Sequence, residues 1–148
     1  MVSFRVVWIL LFAPLLLLQQ ACSEDQPVRV HVGSATASVE IALTAEARSI
    51  GLMHREALGE NHGVLLVMPR PQVVRMWMLN TRIPLDAGFF DRDGRLVNYV
   101  SMEQDGGKKI HRSAVPALYA LEMNKGWFER HGIQTGDTLQ LPYPVVGE

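Results

Sequence analysis

The sequence predicts a mainly β domain, a single sandwich or barrel-like fold of seven or eight short strands with two short helices. Three observations predict it. Short alternating or continuous apolar stretches recur along the chain, turn residues such as Gly33, Pro69 and Gly94 separate them, and only two stretches carry helix signals. At 148 residues, 48% of them hydrophobic and 20% charged, the chain has room for one such domain and a targeting segment.

The first residues read as that segment. Arg5 supplies a positive start, and "VVWILLFAPLLLL" (6–18) is an apolar run shorter than the roughly 20 residues of a membrane span and interrupted by Pro14. Residues 1–21 are therefore expected to be a lipoprotein-type signal peptide. Cys22, the single cysteine, follows the small residue Ala21 as the lipidated cysteine of a bacterial lipobox does, although Gln19 stands where such boxes usually carry Leu. Cleavage near Ala21 without lipidation is the other reading. Lipidation is preferred because an exposed, unpaired thiol suits an oxidising compartment poorly. Ser23, where Asp would resemble an inner-membrane retention signal, points to the periplasmic face of the outer membrane, with the soluble periplasm as alternative. Residues 22–27 form a tether, and the β domain is expected over 28–144.

Within the domain, "VRVHV" (28–32) and "ASVEIAL" (37–43) alternate and predict a hairpin about Gly33 and Ser34. Thr44 can cap a helix over "AEARSI", and Gly51 supplies the backbone freedom that ends it. "VLLVM" (64–68) is a continuous apolar run, expected as a strand buried on both faces and stopped by Pro69 and Pro71. "VVRMWML" (73–79) predicts the next strand. "AGFFD" (87–91) and "RLVNYVSM" (95–102) flank the turn "DRDG", in which Gly94 tolerates positive φ. "LYALEM" (118–123) is a further strand, "GWFERHG" (126–132) one helical turn anchored by Trp127 and Phe128, and "DTLQLPY" (137–143) the last strand. Met68, Met76, Met78, Met102 and Met123 fall in or beside these strands, where methionine fills gaps.

A formal net charge of −1 gives no reason to expect nucleic acid. Lys108, Lys109, His111 and Arg112 make a short basic cluster, read as a solvated loop with an anionic ligand as the alternative. His31, His54, His62, His111 and His131 lack metal-ligand spacing, so neither metal nor cofactor is expected.

The densest mixture of polar and aromatic residues is "MWMLNTRIPLD" (76–86). Asn80, Thr81 and Asp86 can serve as turn and loop ties through their own backbone bonds. They can also converge with Arg55 on a recognition site walled by Trp77, as in small ligand pockets. A catalytic constellation would need Ser113 within reach of His111, oriented by Asp86, yet no Gly-x-Ser-x-Gly elbow is present. Asp86, Glu122 and Asp137 could supply paired carboxylates for acid–base work, although an Asp in "TGD" is ordinarily a turn former.

Taken in order, "GLMHRE" (51–56), "GVLLVMP" (63–69), "MWMLNTRIPLD" (76–86), "FFDRDGRLV" (89–97), "YALEMNKGWFERHGI" (119–133) and "GDTL" (136–139) resemble the bacterial and archaeal family called domain of unknown function 192. The resemblance implies a small, mostly β domain, often exported, with no assigned activity. The family's usual Phe-Trp-Met-Lys-Asn-Thr segment carries Met76 for the Phe and Leu79 for the Lys here, which puts in doubt any role needing that lysine. Many relatives have cysteines in the loop matching "QDGGKKIHRS"; this chain has none there.

These readings lead to an exported, lipid-anchored, non-catalytic binding or accessory module of the cell envelope. It would recognise a small polar ligand or an envelope protein through Arg55, Trp77, Asn80, Thr81 and Asp86. The alternative is a small envelope hydrolase or lyase using Asp86 and His111.

Overall fold

The structure, a computed structural model, describes residues 26–148. The signal peptide expected over 1–21, the lipidation expected at Cys22 and the start of the tether lie outside the described residues. Among the described residues, nine strands and two short helices follow in the order β1 Val28–Val32, β2 Ala35–Ala42, α1 Ala45–Ile50, β3 His62–Gln72, β4 Arg75–Met76, β5 Leu85–Phe90, β6 Leu96–Met102, β7 His111–Arg112, β8 Ala117–Asn124, α2 Trp127–Arg130 and β9 Leu139–Gln140.

Seven strands make one sheet in the order β6-β5-β8-β3-β2-β1-β9, and β4 and β7 form a separate ribbon. The predicted hairpin is present, with Val30 opposite Ala37. The predicted helix is present too: the Thr44 hydroxyl accepts the Ala47 N–H at 3.1 Å, and Gly51 caps the far end at φ 46°. This helix carries the crossover that lets β3 lie parallel to β2. The sheet curls until its two edges meet. Arg95, just before β6, forms an antiparallel bridge with Thr138, just before β9.

Alternation along the strands divides the apolar side chains between the sheet's two faces. Val30, Val39, Leu65, Val67, Leu121 and Met123 point inside the curl, where Trp127 and Phe128 of α2 fill it. Val64, Leu66, Leu85, Ala87, Phe89 and Ala120 point outward, under Leu52 and the Met76 and Met78 of the ribbon segment.

Three expectations need correction. Pro69 and Pro71 do not stop β3, which continues to Gln72. They occupy the stretch between Val67 and Gln72 where the β3–β8 register slips, so the ladder is already broken where their missing N–H groups would matter. The strand expected over 73–79 shrinks to Arg75–Met76, paired with the unanticipated β7. The last strand likewise contracts from 137–143 to Leu139–Gln140.

Candidate functional site

β8 runs through the middle of the sheet, between β5 and β3, and carries a single acid, Glu122, opposite Ala87 on one side and Val64 on the other. The pleat places its side chain on the outward face. There it forms the floor of a cavity of about 180 Å³ lined by Gly51, Leu52, Leu66, Arg75, Trp77 and Thr81 among others. Glu122 is 7% exposed, and its Oε2 has no hydrogen-bond partner among the described residues. Burial pushes the carboxyl up to about 7, against the opposing influence of the Leu52 N–H and the Arg55 charge.

The roof follows from local sequence. Gly51 lies over the carboxylate so closely that a Cβ would stand 2.6 Å from Glu122 Oε2, and its positive φ already favours glycine. Trp77 is half exposed and forms an apolar wall, while Arg75 reaches the rim with no salt bridge among the described residues. An unsatisfied acceptor beneath an aromatic wall can receive a small group bearing N–H or O–H donors, and a cationic donor gains most from both.

The structure separates the residues expected to converge. Trp77 and Thr81 line the cavity. Arg55 does not; it lines a separate hollow with Glu40, which it meets at 2.6 Å. Asn80 builds the turn: it adopts φ 53°, and its carbonyl accepts the His54 N–H at 2.8 Å. Asp86 sits on the other face of the sheet, because it pairs with Met123 rather than with Glu122. Fully buried, it accepts the Ser101 hydroxyl at 2.7 Å and the Gly126 N–H at 2.9 Å, fixing the entry to α2.

The catalytic candidates His111, Ser113 and Asp86 are not joined to one another by hydrogen bonds among the described residues. The Ser113 hydroxyl accepts the Val74 N–H at 3.0 Å. Burial, then the neighbouring Lys109 charge, holds the His111 imidazole below its ordinary value, with Asp105 opposing them. Asp137 accepts the Gln134 N–H in a turn. No group of three or more His, Cys, Asp or Glu residues among the described residues comes together as a metal site.

Sequence reading weighed Glu122 only as half of a carboxylate pair and passed over Arg75. The signal for Glu122 was present: an acid inside "LYALEM" must either face solvent or be buried at a cost that a ligand or a partner offsets.

The profile of the family DUF192, described as "Uncharacterized ACR", matches residues 28–141. No curated protein matches. Several solved chains are similar, two of them as follows. One is a "putative transcription regulator" from Sinorhizobium meliloti, 33% identical over 78% of this chain and 92% of that one, with a TM-score of 0.72. The other is a protein of unknown function from Novosphingobium aromaticivorans, 32% identical over 81% of this chain and 89% of that one, with a TM-score of 0.75.

Proposed function

This chain belongs to the DUF192 family, and from that premise we propose a non-catalytic envelope module that binds a small polar ligand in the Glu122 cavity. The observation that carries the reading is the buried Glu122 with an unpartnered oxygen at the floor of that cavity. A ligand offering an ammonium or another donor to Oε2, with its carbon skeleton against Trp77, satisfies both surfaces. The small volume restricts it to a few heavy atoms, since drug-sized ligands occupy pockets of roughly 300 Å³ or more. Export rests on the pattern at the chain's start: a positive Arg5, the apolar run 6–18, and Cys22 behind Ala21. Lipidation at Cys22 would hold the domain at the periplasmic face of the outer membrane.

The fragment spanning residues 26–148 contains the whole of the family match, residues 28–141. Its thermal unfolding is to be followed with ethanolamine, putrescine and D-alanine. A binder present at a hundred times its dissociation constant adds roughly 2.7 kcal/mol. The shift is expected to vanish in Glu122→Gln and Trp77→Ala and to survive in Asp86→Asn, whose side chain faces away from the cavity. A shift that persists in Glu122→Gln places the ligand elsewhere and sinks this reading.

A further inference from the structure

The ribbon has two unlike faces. Exposure alternates strictly from Val73 to Leu79: Val74, Met76 and Met78 are buried, while Val73, Arg75, Trp77 and Leu79 face out. β7 mirrors this, with His111 and Ser113 buried and Ile110 and Arg112 outside. The inner face is pinned, because Val74 and Ser113 exchange bonds at 3.0 Å in both directions. The outer face cannot turn inward to bury itself.

That outer face combines two features a water-facing surface has no reason to keep. Arg75 lies directly opposite Arg112, and like charges in direct register repel. Neither they nor Lys108 and Lys109 form a salt bridge among the described residues. Asp105, the nearby acid, is tied to the Gly107 and Lys109 N–H groups at 2.8 Å. Beside these cations stand exposed apolar side chains: Val73 at 46%, Trp77 at 45%, Leu79 at 44% and Ile110 at 51%. In a chain of formal net charge −1 this is segregation of positive charge onto one apolar face.

We propose that the outward face of the β4–β7 ribbon docks the domain on an anionic lipid surface. Lipid phosphates supply the missing countercharge between Arg75 and Arg112. Trp77, Leu79 and Ile110 enter the boundary between headgroups and acyl chains, where an indole is at home. The charge match is to a surface potential, which guanidinium and ammonium groups answer alike. The face shares Arg75 and Trp77 with the rim of the Glu122 cavity, and the inference is tested by substitutions at Arg112, Lys108 and Ile110, which do not line it.

Residues 26–148 are to be sedimented with vesicles of phosphatidylethanolamine and phosphatidylglycerol, and with phosphatidylcholine alone. Binding to the anionic vesicles, weakening with salt, is expected, with Trp77 quenched by brominated acyl chains while the buried Trp127 is not. Arg112→Ala and Lys108→Ala are each expected to weaken binding by about fivefold. Arg112→Lys should retain it, and Ile110→Ser should abolish the Trp77 quenching. Equal affinity for both vesicle types, or no binding by the folded wild type, overturns the proposal. Loss in Arg112→Lys assigns instead a bidentate anion site, and concentration-dependent dimerisation removed by Ile110→Ser assigns the face to a second copy; either outcome also overturns it.

Discussion

Burial sets the protonation of Glu122, and the consequence for stability has a definite sign. The carboxyl moves from 4.5 to about 7 on folding, so the folded chain favours the neutral acid. The stabilising contribution of that protonated form is complete below about pH 4.5 and is lost as pH rises through about 7. Glu122→Gln mimics the neutral form at every pH. The variant should therefore match the wild type at pH 4 and exceed it at pH 8, by on the order of 3 kcal/mol from linkage alone. Urea unfolding of both proteins at the two pH values measures the difference. A gap of the same size at both would mean that Glu122 titrates normally and that its surroundings are wetter than the cavity indicates. Asp86 shows how one residue of register decides a role. Asp86 and Ala87 are neighbours in β5, yet only Ala87 shares a face with Glu122, and Asp86 becomes a structural tie to Ser101 and Gly126.

Elements with local causes were legible in the sequence. The hairpin through Gly33, the cap at Thr44, the turn closed by Gly94 and the helical turn at Trp127 depend on residues within a few positions of one another. The ribbon was half legible: its alternation over 73–79 is in the sequence, but its partner is His111–Arg112, far along the chain. The continuation of β3 through Pro69 and Pro71 could not be read, because the slip in its pairing with β8 is a tertiary fact. The same limit applied to the site. Trp77 and Thr81 were recognisable from their own segment, whereas Glu122 joins them only through the order of strands. Gly88 carries a testable case of such long-range fit. A Cβ there would stand 2.4 Å from the Phe128 ring, which itself stacks on Tyr99 at 5.0 Å. Gly88→Ala should cost about 1–3 kcal/mol by overpacking. Phe128→Leu in the same chain should recover part of that loss in denaturant unfolding, and no recovery would place the strain in β5 itself.

At the scale of the whole molecule, the short segment around β9 joins both edges of the sheet. On one side Gly33 donates to Thr138 at 3.0 Å, and β9 pairs with β1. On the other, Leu96 donates to Asp137 at 2.8 Å, Leu139 to Gly94 at 2.7 Å and Gly136 to Leu96 at 2.8 Å. Curling the sheet in this way leaves β6 and β1 no long open edge there, and it seals the inner cluster about Trp127 and Phe128. Closure makes opening cooperative, since β9 cannot leave β1 without also releasing the start of β6. Hydrogen exchange reads this directly. The Gly33, Leu96, Gly136 and Leu139 amides should exchange together, at a free energy near that of global unfolding. Leu139→Pro removes the donor to Gly94 and forces the segment off the sheet. It should therefore raise exchange at Leu96 in β6 as much as at Gly33. A variant in which Gly33 loses protection while Leu96 keeps it would describe an open sheet whose edges happen to lie close together, with each cluster unfolding by itself.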